Sequence, residues 1–165
     1  MSEEKKLENL LLRIVAPHSK ISREVLESDI ERVVEEAKVL YALCFMANGL
    51  AVGAKAMAHP QIEDKDPLRF FVTADKKLII NPIITKHTNT TVESKEGCFS
   101  FKDNPPIVVQ RWHKIEVEFI TLMVDSENKD KFKFSSILKE KLSGLEARIW
   151  QHEQNHFDGL YIFNY

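Results

Sequence analysis

Apolar residues recur at helical spacing between about 28 and 46. Ile30, Val33, Val34, Ala37, Leu40, Tyr41 and Cys44 fall on one face, and Glu31, Arg32, Glu35, Glu36 and Lys38 on the other. Ser28 followed by Glu31 has the spacing of a capping box at the start of that helix. The pattern then changes: 70–73, 78–81, 107–110 and 115–124 read as strands. In the last of these, Ile115, Val117 and Phe119 alternate with Glu116 and Glu118, as a half-buried strand requires. Residues 125–128 read as a turn into a return strand at 131–134. Helical spacing resumes near Ser143, where Ser143 and Glu146 repeat the capping-box interval. It runs through Leu145, Ile149 and His152 to about Phe157, with Gly159 as its stop. Strands lying between two separated helices predict an α+β domain, not an alternating parallel sheet.

Composition narrows the class. The chain has 165 residues without repeats, low-complexity blocks or a Pro/Gly/Ser linker, which predicts one domain spanning 1–165. Its 23 basic and 25 acidic side chains leave a formal charge of -2. That balance supplies no basic field for gripping phosphates, so no sequence-specific nucleic-acid partner is expected. No apolar run approaches the ~20 residues of a membrane span, and the N-terminal segment is a poor secretory signal. A cytoplasmic protein with no membrane partner is the expectation. Two cysteines are too few for a disulfide framework. Cys44, on the apolar face of the first helix, reads as packing.

The second helix contains His152-Glu153-Gln154-Asn155-His156, an HExxH sequence. The i, i+4 interval places both imidazoles on one face, where two ring nitrogens can converge on one metal ion. Glu153 then stands beside a metal-activated water without being a ligand. A catalytic site needs a third protein ligand. Only nine residues follow His156, with no Glu or His among them, so that ligand has to come from upstream. Cys98 in Glu96-Gly97-Cys98-Phe99-Ser100 is the candidate: a soft thiolate, with Gly97 allowing a sharp backbone conformation. A buried structural cysteine is the alternative.

Glu96–Ser100 resembles the EGCLS motif of peptide deformylases, and Gln151–Gly159 resembles their QHExDHxxG motif. Ile80-Asn81-Pro82 and Val109-Gln110-Arg111 agree in order and spacing, so the resemblance spans about 11–163. It implies antiparallel sheets packed around a central helix carrying HExxH. It implies one divalent metal ion per chain, iron(II) as the expected ion and zinc or nickel otherwise, held by Cys98, His152 and His156. Glu153 matches the general acid/base, and the backbone N–H of Phe99 matches a donor to the developing oxyanion. The implied reaction removes the N-formyl group from formylmethionyl peptides of nascent proteins, with the ribosome a further partner of such a reaction.

The family's third segment, GxGφAAxQ, is matched partly by 47–54, where Gly49 and Leu50 are expected along the substrate. On this alignment the family's oxyanion glutamine falls at Ala54, and Val52 adds bulk. Gln61 lies seven residues on, with no spacing argument in its favour. Leu145 and Ile149 share the metal-facing side of the helix and are candidates for the wall of a methionine pocket, with core packing as the alternative. Glu96 and Arg111 form a candidate pair near the site, an ordinary surface ion pair being the alternative. His18, His59, His87 and His113 lack ligand spacing and read as surface residues. Three readings follow: an active deformylase, a catalytically weak deformylase-like paralogue that keeps the metal and binds peptide N-termini, and a metalloprotease. The missing downstream ligand disfavours the third.

Overall fold

The computed structural model describes residues 1–49 and 54–164. Helix α1 (Glu3–Leu11) is capped by Ser2, whose side chain accepts from the Lys5 N–H. Helix α2 (Ile30–Gly49) is entered through a 3₁₀ turn at Glu27–Asp29. The cap predicted at Ser28 is made one residue on: Asp29 Oδ2 accepts from the Leu26 N–H at 2.8 Å. A short carboxylate reaching back three residues satisfies a donor that the helix cannot.

Among the described residues nine strands follow: β1 (Ala56–Ala58), β2 (Phe70–Thr73), β3 (Leu78–His87), β4 (Thr91–Glu96), β5 (Ile107–Trp112), β6 (Lys114–Ile120), β7 (Leu122–Val124), β8 (Phe132–Phe134) and β9 (Leu138–Ser143). They lead into α3 (Gly144–Phe157), which carries HExxH. The main sheet is antiparallel in the order β1-β2-β3-β6-β9, and β4-β5 and β7-β8 form separate two-stranded sheets. The α+β architecture around an HExxH helix is as the sequence predicts.

The run expected as one strand at 115–124 is two. It breaks at Thr121, whose N–H turns to the Ser135 hydroxyl at 3.0 Å, and β7 leaves to pair with β8. The strand expected at 78–81 continues to His87 through a bulge. At that bulge Asn81 takes φ 50° and its side chain brackets the backbone N–H and C=O of Val25. Strand β9 escapes the pattern because it is a largely exposed edge, with Lys139 and Lys141 paired across to Glu118 and Glu116.

The core lies on both faces of the sheet. Phe70 and Val72 pack with Val33, Leu40 and Leu43 on the α2 side. Phe71 and Ile79 pack with Trp150 and Phe157 on the α3 side. Strand β2 therefore has no solvent face, and all four of its residues are buried.

The two ends of α3 differ from each other. Ser143 occupies the N-cap position without a side-chain hydrogen bond, so the expected capping box is not closed. At the other end the Gly159 N–H donates to His156 O, and the Leu160 N–H to Asn155 O. This pair of bonds, with Gly159 at φ 69°, is a Schellman stop. A Cβ on Gly159 would meet the Ser19 carbonyl oxygen at 2.4 Å. Gly159→Ala is therefore expected to destabilise the protein by about 2 kcal/mol or more, from both the left-handed backbone and the clash. A Cβ on Gly97 would meet nothing within 4 Å, and its φ is not positive, so the sharp conformation expected there is not present. Gly97→Ala should change stability by less than about 0.5 kcal/mol. Urea denaturation of both variants checks the contrast.

Candidate metal centre

Three elements meet at one point. Strand β4 ends at Glu96, and Cys98 follows it at the entry to a 3₁₀ turn, Phe99–Phe101. Strand β5 returns antiparallel and places Arg111 opposite Val92. Helix α3 presents His152, Glu153 and His156. Gln151 fixes the helix's rotation: its Oε1 accepts from the Trp112 N–H at 2.8 Å, and its Nε2 donates to Trp112 O at 3.0 Å.

The donor atoms of Cys98, His152 and His156 all lie within 4.8 Å of one another. Cys98 Sγ and His156 Nε2 are 3.5 Å apart. That is the S···N edge of a tetrahedron about 3.5 Å long, built on ordinary metal–sulfur and metal–nitrogen distances. Cys98 thus stands with the two imidazoles while also packing against Val109, Tyr161 and Ile162. Burial, with His152 and Arg111 nearby, holds His156 well below its ordinary pKa, in the neutral form that donates a lone pair. Its Nδ1 is buried without a partner. One thiol, two imidazoles and a carboxylate behind one of them make a donor set that fits a divalent ion of the zinc or iron(II) kind.

The carboxylate behind His152 is Glu96. Its Oε2 lies 3.1 Å from His152 Nδ1, leaving the opposite ring nitrogen for a metal. Arg111 donates to both Glu96 oxygens, at 3.0 and 2.7 Å, and through its third nitrogen to Asn155 Oδ1 at 2.5 Å. With Arg111 5% and Glu96 11% exposed, this is a buried fork and not the surface pair that was the alternative. Asn155 completes it from the helix.

Glu153 is buried, and among the described residues its Oε2 has no hydrogen-bond partner. Burial pushes its pKa up to about 7, against the opposing pull of His152 and Arg111. A carboxyl poised near neutrality, beside three side chains that could hold a metal ion, is placed to carry a proton in either direction.

A cavity of about 490 Å³ opens on this cluster. Leu145, Ile149, His152 and Glu153 form its helical wall, and Cys98 and Phe99 part of the opposite one. Leu145 is 52% exposed, so it faces this cavity and not the core. Another groove, about 550 Å³, lies between α2 and the β7-β8 hairpin and holds none of the candidate groups. Gly49 closes α2, while Leu50 and Val52 lie outside the described residues.

Gln61 requires a correction. Fully buried, it reaches the cluster with its Nε2 3.8 Å from Cys98 Sγ and 3.1 Å from Ser100 Oγ. Its Oε1 accepts from the Ala58 N–H at 2.9 Å. The glutamine expected at Ala54 is therefore supplied by Gln61, and GxGφAAxQ matches 54–61, with Ala54 and Ala56 in place of its glycines and His59 in place of its second alanine. Gly49 and Gly53 draw the reading to the wrong register. The signal that finds it is Ala56-Met57-Ala58 followed by Pro60-Gln61, matched on its end instead of its glycines.

His59, read as a surface residue, is wholly buried. Its Nδ1 accepts from the Leu68 N–H at 2.8 Å, its Nε2 bonds the Glu36 carboxylate of α2, and its ring stacks on Phe70. The histidine ties the short segment bearing Gln61 to α2.

Burial works to raise the Glu96 pKa, yet hydrogen bonds from His152 and Arg111 outweigh it and hold the carboxyl at about 2. The stability it contributes is present above its ordinary value of 4.5 and is lost as pH falls from there toward about 2. Glu96→Gln removes the carboxylate that Arg111 and His152 share, and breaking such a mostly buried ion pair should cost about 3 kcal/mol. The same change should weaken zinc binding by about 10–100-fold through His152. Denaturant titration and competition with a chelator measure the two effects.

The chain matches the polypeptide deformylase family model over residues 11–165. A peptide deformylase of Orientia tsutsugamushi (strain Boryong) is 36% identical over 87 residues, covering 53% of this chain and 41% of that protein. The chain thus aligns with less than half the length of that relative. The crystal structure of peptide deformylase from Thermotoga maritima superposes with a TM-score of 0.70 at 24% identity, covering 95% of this chain and 90% of that one. A probable peptide deformylase from synechococcus phage S-SSM7 gives 0.65 at 29% identity, over 89% and 91%. With the HExxH helix, the Cys98 turn and the Gln61 segment joined at one point in this fold, the chain belongs to the polypeptide deformylase family.

Proposed function

We propose that this protein hydrolyses the formamide bond of N-formylated peptides, releasing formate and a free amino terminus. The observation that carries the reading is the unpartnered oxygen of Glu153, buried beside the Cys98, His152 and His156 donor atoms. A carboxylate buried without a hydrogen-bond donor is costly unless a proton or a ligand's donor reaches it.

A divalent cation bound by Cys98, His152 and His156 supplies Lewis-acid activation of water and of the carbonyl that the water attacks. Iron(II) is the ion we assign to the resident site, with zinc or nickel able to replace it. Glu153 takes the proton of the attacking water and returns it to the departing amine nitrogen as the C–N bond breaks. Its pKa near 7 balances the two transfers. The Gln61 amide and the Phe99 N–H are the donors to the carbonyl oxygen as negative charge develops there. Leu145 and Ile149 provide an apolar wall for the first side chain. A reaction on nascent chains is in keeping with a protein of the cytoplasm that works close to the ribosome. Among the described residues no helix is long and apolar enough to cross a membrane. Ala54 and Val52 motivate the reading as a catalytically weak paralogue, and the amide of Gln61 beside Cys98 supports the active one.

Glu153→Gln should retain one metal ion per chain and lose formate release from a formyl-Met peptide, because the amide keeps the shape but accepts no proton. Near-normal turnover by that variant would remove Glu153 from the mechanism. Gln61→Ala should lower kcat by about 10²–10³ with a smaller change in KM, as a donor acting on developing charge does. Cys98→Ser should weaken metal affinity, read by elemental analysis after dialysis, because a hydroxyl replaces a thiolate.

A further inference from the structure

The cavity over the metal centre is ringed by positive charge although the whole chain is slightly acidic. Lys55, Lys95, Lys102 and Arg148 all line it. They come from four places: the approach to β1, strand β4, the end of the Phe99–Phe101 turn, and α3. None of the four has a carboxylate within ion-pair distance among the described residues. The two carboxylates that line the same cavity are already committed. Glu96 is held by Arg111 and His152, and Glu153 is buried.

Arg148 stands apart from the other arginines. Those that are likewise not exposed, Arg32, Arg69 and Arg111, each hold a carboxylate. Arg148 holds none, and its Nε is buried without any hydrogen-bond partner. It lies four residues before His152 and three after Leu145, on the stripe of α3 that faces the cavity. A guanidinium N–H shut off from water with no acceptor carries a desolvation cost that a ligand's oxygen relieves. A guanidinium matches a carboxylate with two parallel bonds, which no apolar or cationic side chain can replace. Three further cations at the rim of a concave site add their fields and draw in anionic ligands.

We infer that the site selects formylated peptides carrying carboxylate side chains in the residues just after the first. This rests on the deformylase reading and names its substrate class: acidic N-terminal segments, with basic ones disfavoured. Arg148 is the specificity determinant, and Lys55, Lys95 and Lys102 supply the long-range attraction.

The test compares three peptides, formyl-Met-Asp-Asp-amide, formyl-Met-Ala-Ala-amide and formyl-Met-Lys-Lys-amide, with zinc-loaded protein. Amidation removes the terminal carboxylate that would otherwise supply the charge. The acidic peptide should exceed the neutral one in kcat/KM by about tenfold, with the basic peptide lowest. Raising the ionic strength should narrow the spread. The double variant Arg148→Gln, Lys102→Gln should collapse the acidic-to-neutral ratio toward one. Lys38→Gln, which removes a charge of the same sign paired with Glu35 elsewhere on α2, should leave the ratio intact. Equal cleavage of acidic and basic peptides overturns the inference and leaves the deformylase reading standing. Absence of cleavage of any formylated peptide overturns the deformylase reading instead. Binding of the same peptides to zinc-loaded Glu153→Gln protein then decides the charge selection: tighter binding of the acidic peptide upholds it, and equal binding ends it.

Discussion

Glu96 is a largely buried carboxylate that must satisfy two partners at once, and the rest of the site is arranged around that demand. An unpaired charge at such depth is untenable. Arg111 is therefore brought across from β5 to fork onto it, and Asn155 from α3 takes the remaining guanidinium nitrogen. The other side of the same carboxylate orients His152. One charge thus locks β4 to β5, locks both to the helix, and sets the ring that ligates. Gln151 repeats the device with neutral groups by engaging both backbone atoms of Trp112. The helix cannot rotate without breaking both.

These bonds fix the side chains of the site relative to one another. The Cys98, His152 and His156 donor atoms sit on the end of a hairpin and on one helix face, and Glu153 lies between the two histidines in sequence. Its environment is dry, so its pKa rises, while Glu96 a short distance away is held low by its cationic partners. Two carboxylates in one pocket are driven to opposite ends of the scale by what touches them.

Much of this is legible from residue order. The helical period of α2 and α3, the alternation in β6 and the HExxH interval are local signals, and local signals survive in a single sequence. Cys98 emerges by elimination and from its glycine neighbour, although Gly97 offers open space and not an unusual backbone. What stays hidden belongs to tertiary context. Nothing local in 91–96 shows that Thr91, Glu93 and Lys95 alternate in a strand, because that strand pairs only with β5 and carries few apolar side chains. Gln61 escapes notice when glycine spacing is given more weight than the end of the motif. His59 reads as a surface residue because a lone histidine carries no sign of burial. Its partners, Glu36 and the Leu68 N–H, lie 23 residues before it and nine after it. Arg148 goes unread in the sequence, although its place four residues before His152 puts both on one face of the helix.

Strand β2 has a consequence for how this sequence can drift. Each of its four residues is buried between two cores, so no position in Phe70–Thr73 is spared by facing water. A volume change at Phe70 is felt beneath α2, and one at Phe71 beneath the helix that carries the ligands. Neighbouring side chains alternate between these two neighbourhoods, so a repair on one side does nothing for the other. Edge strands such as β9 accept new residues one at a time. In β2 an accepted change needs a matching change in a helix dozens of residues away. Phe70, Phe71 and Val72 are thereby tied to two cores at once, a constraint that an exposed edge does not carry.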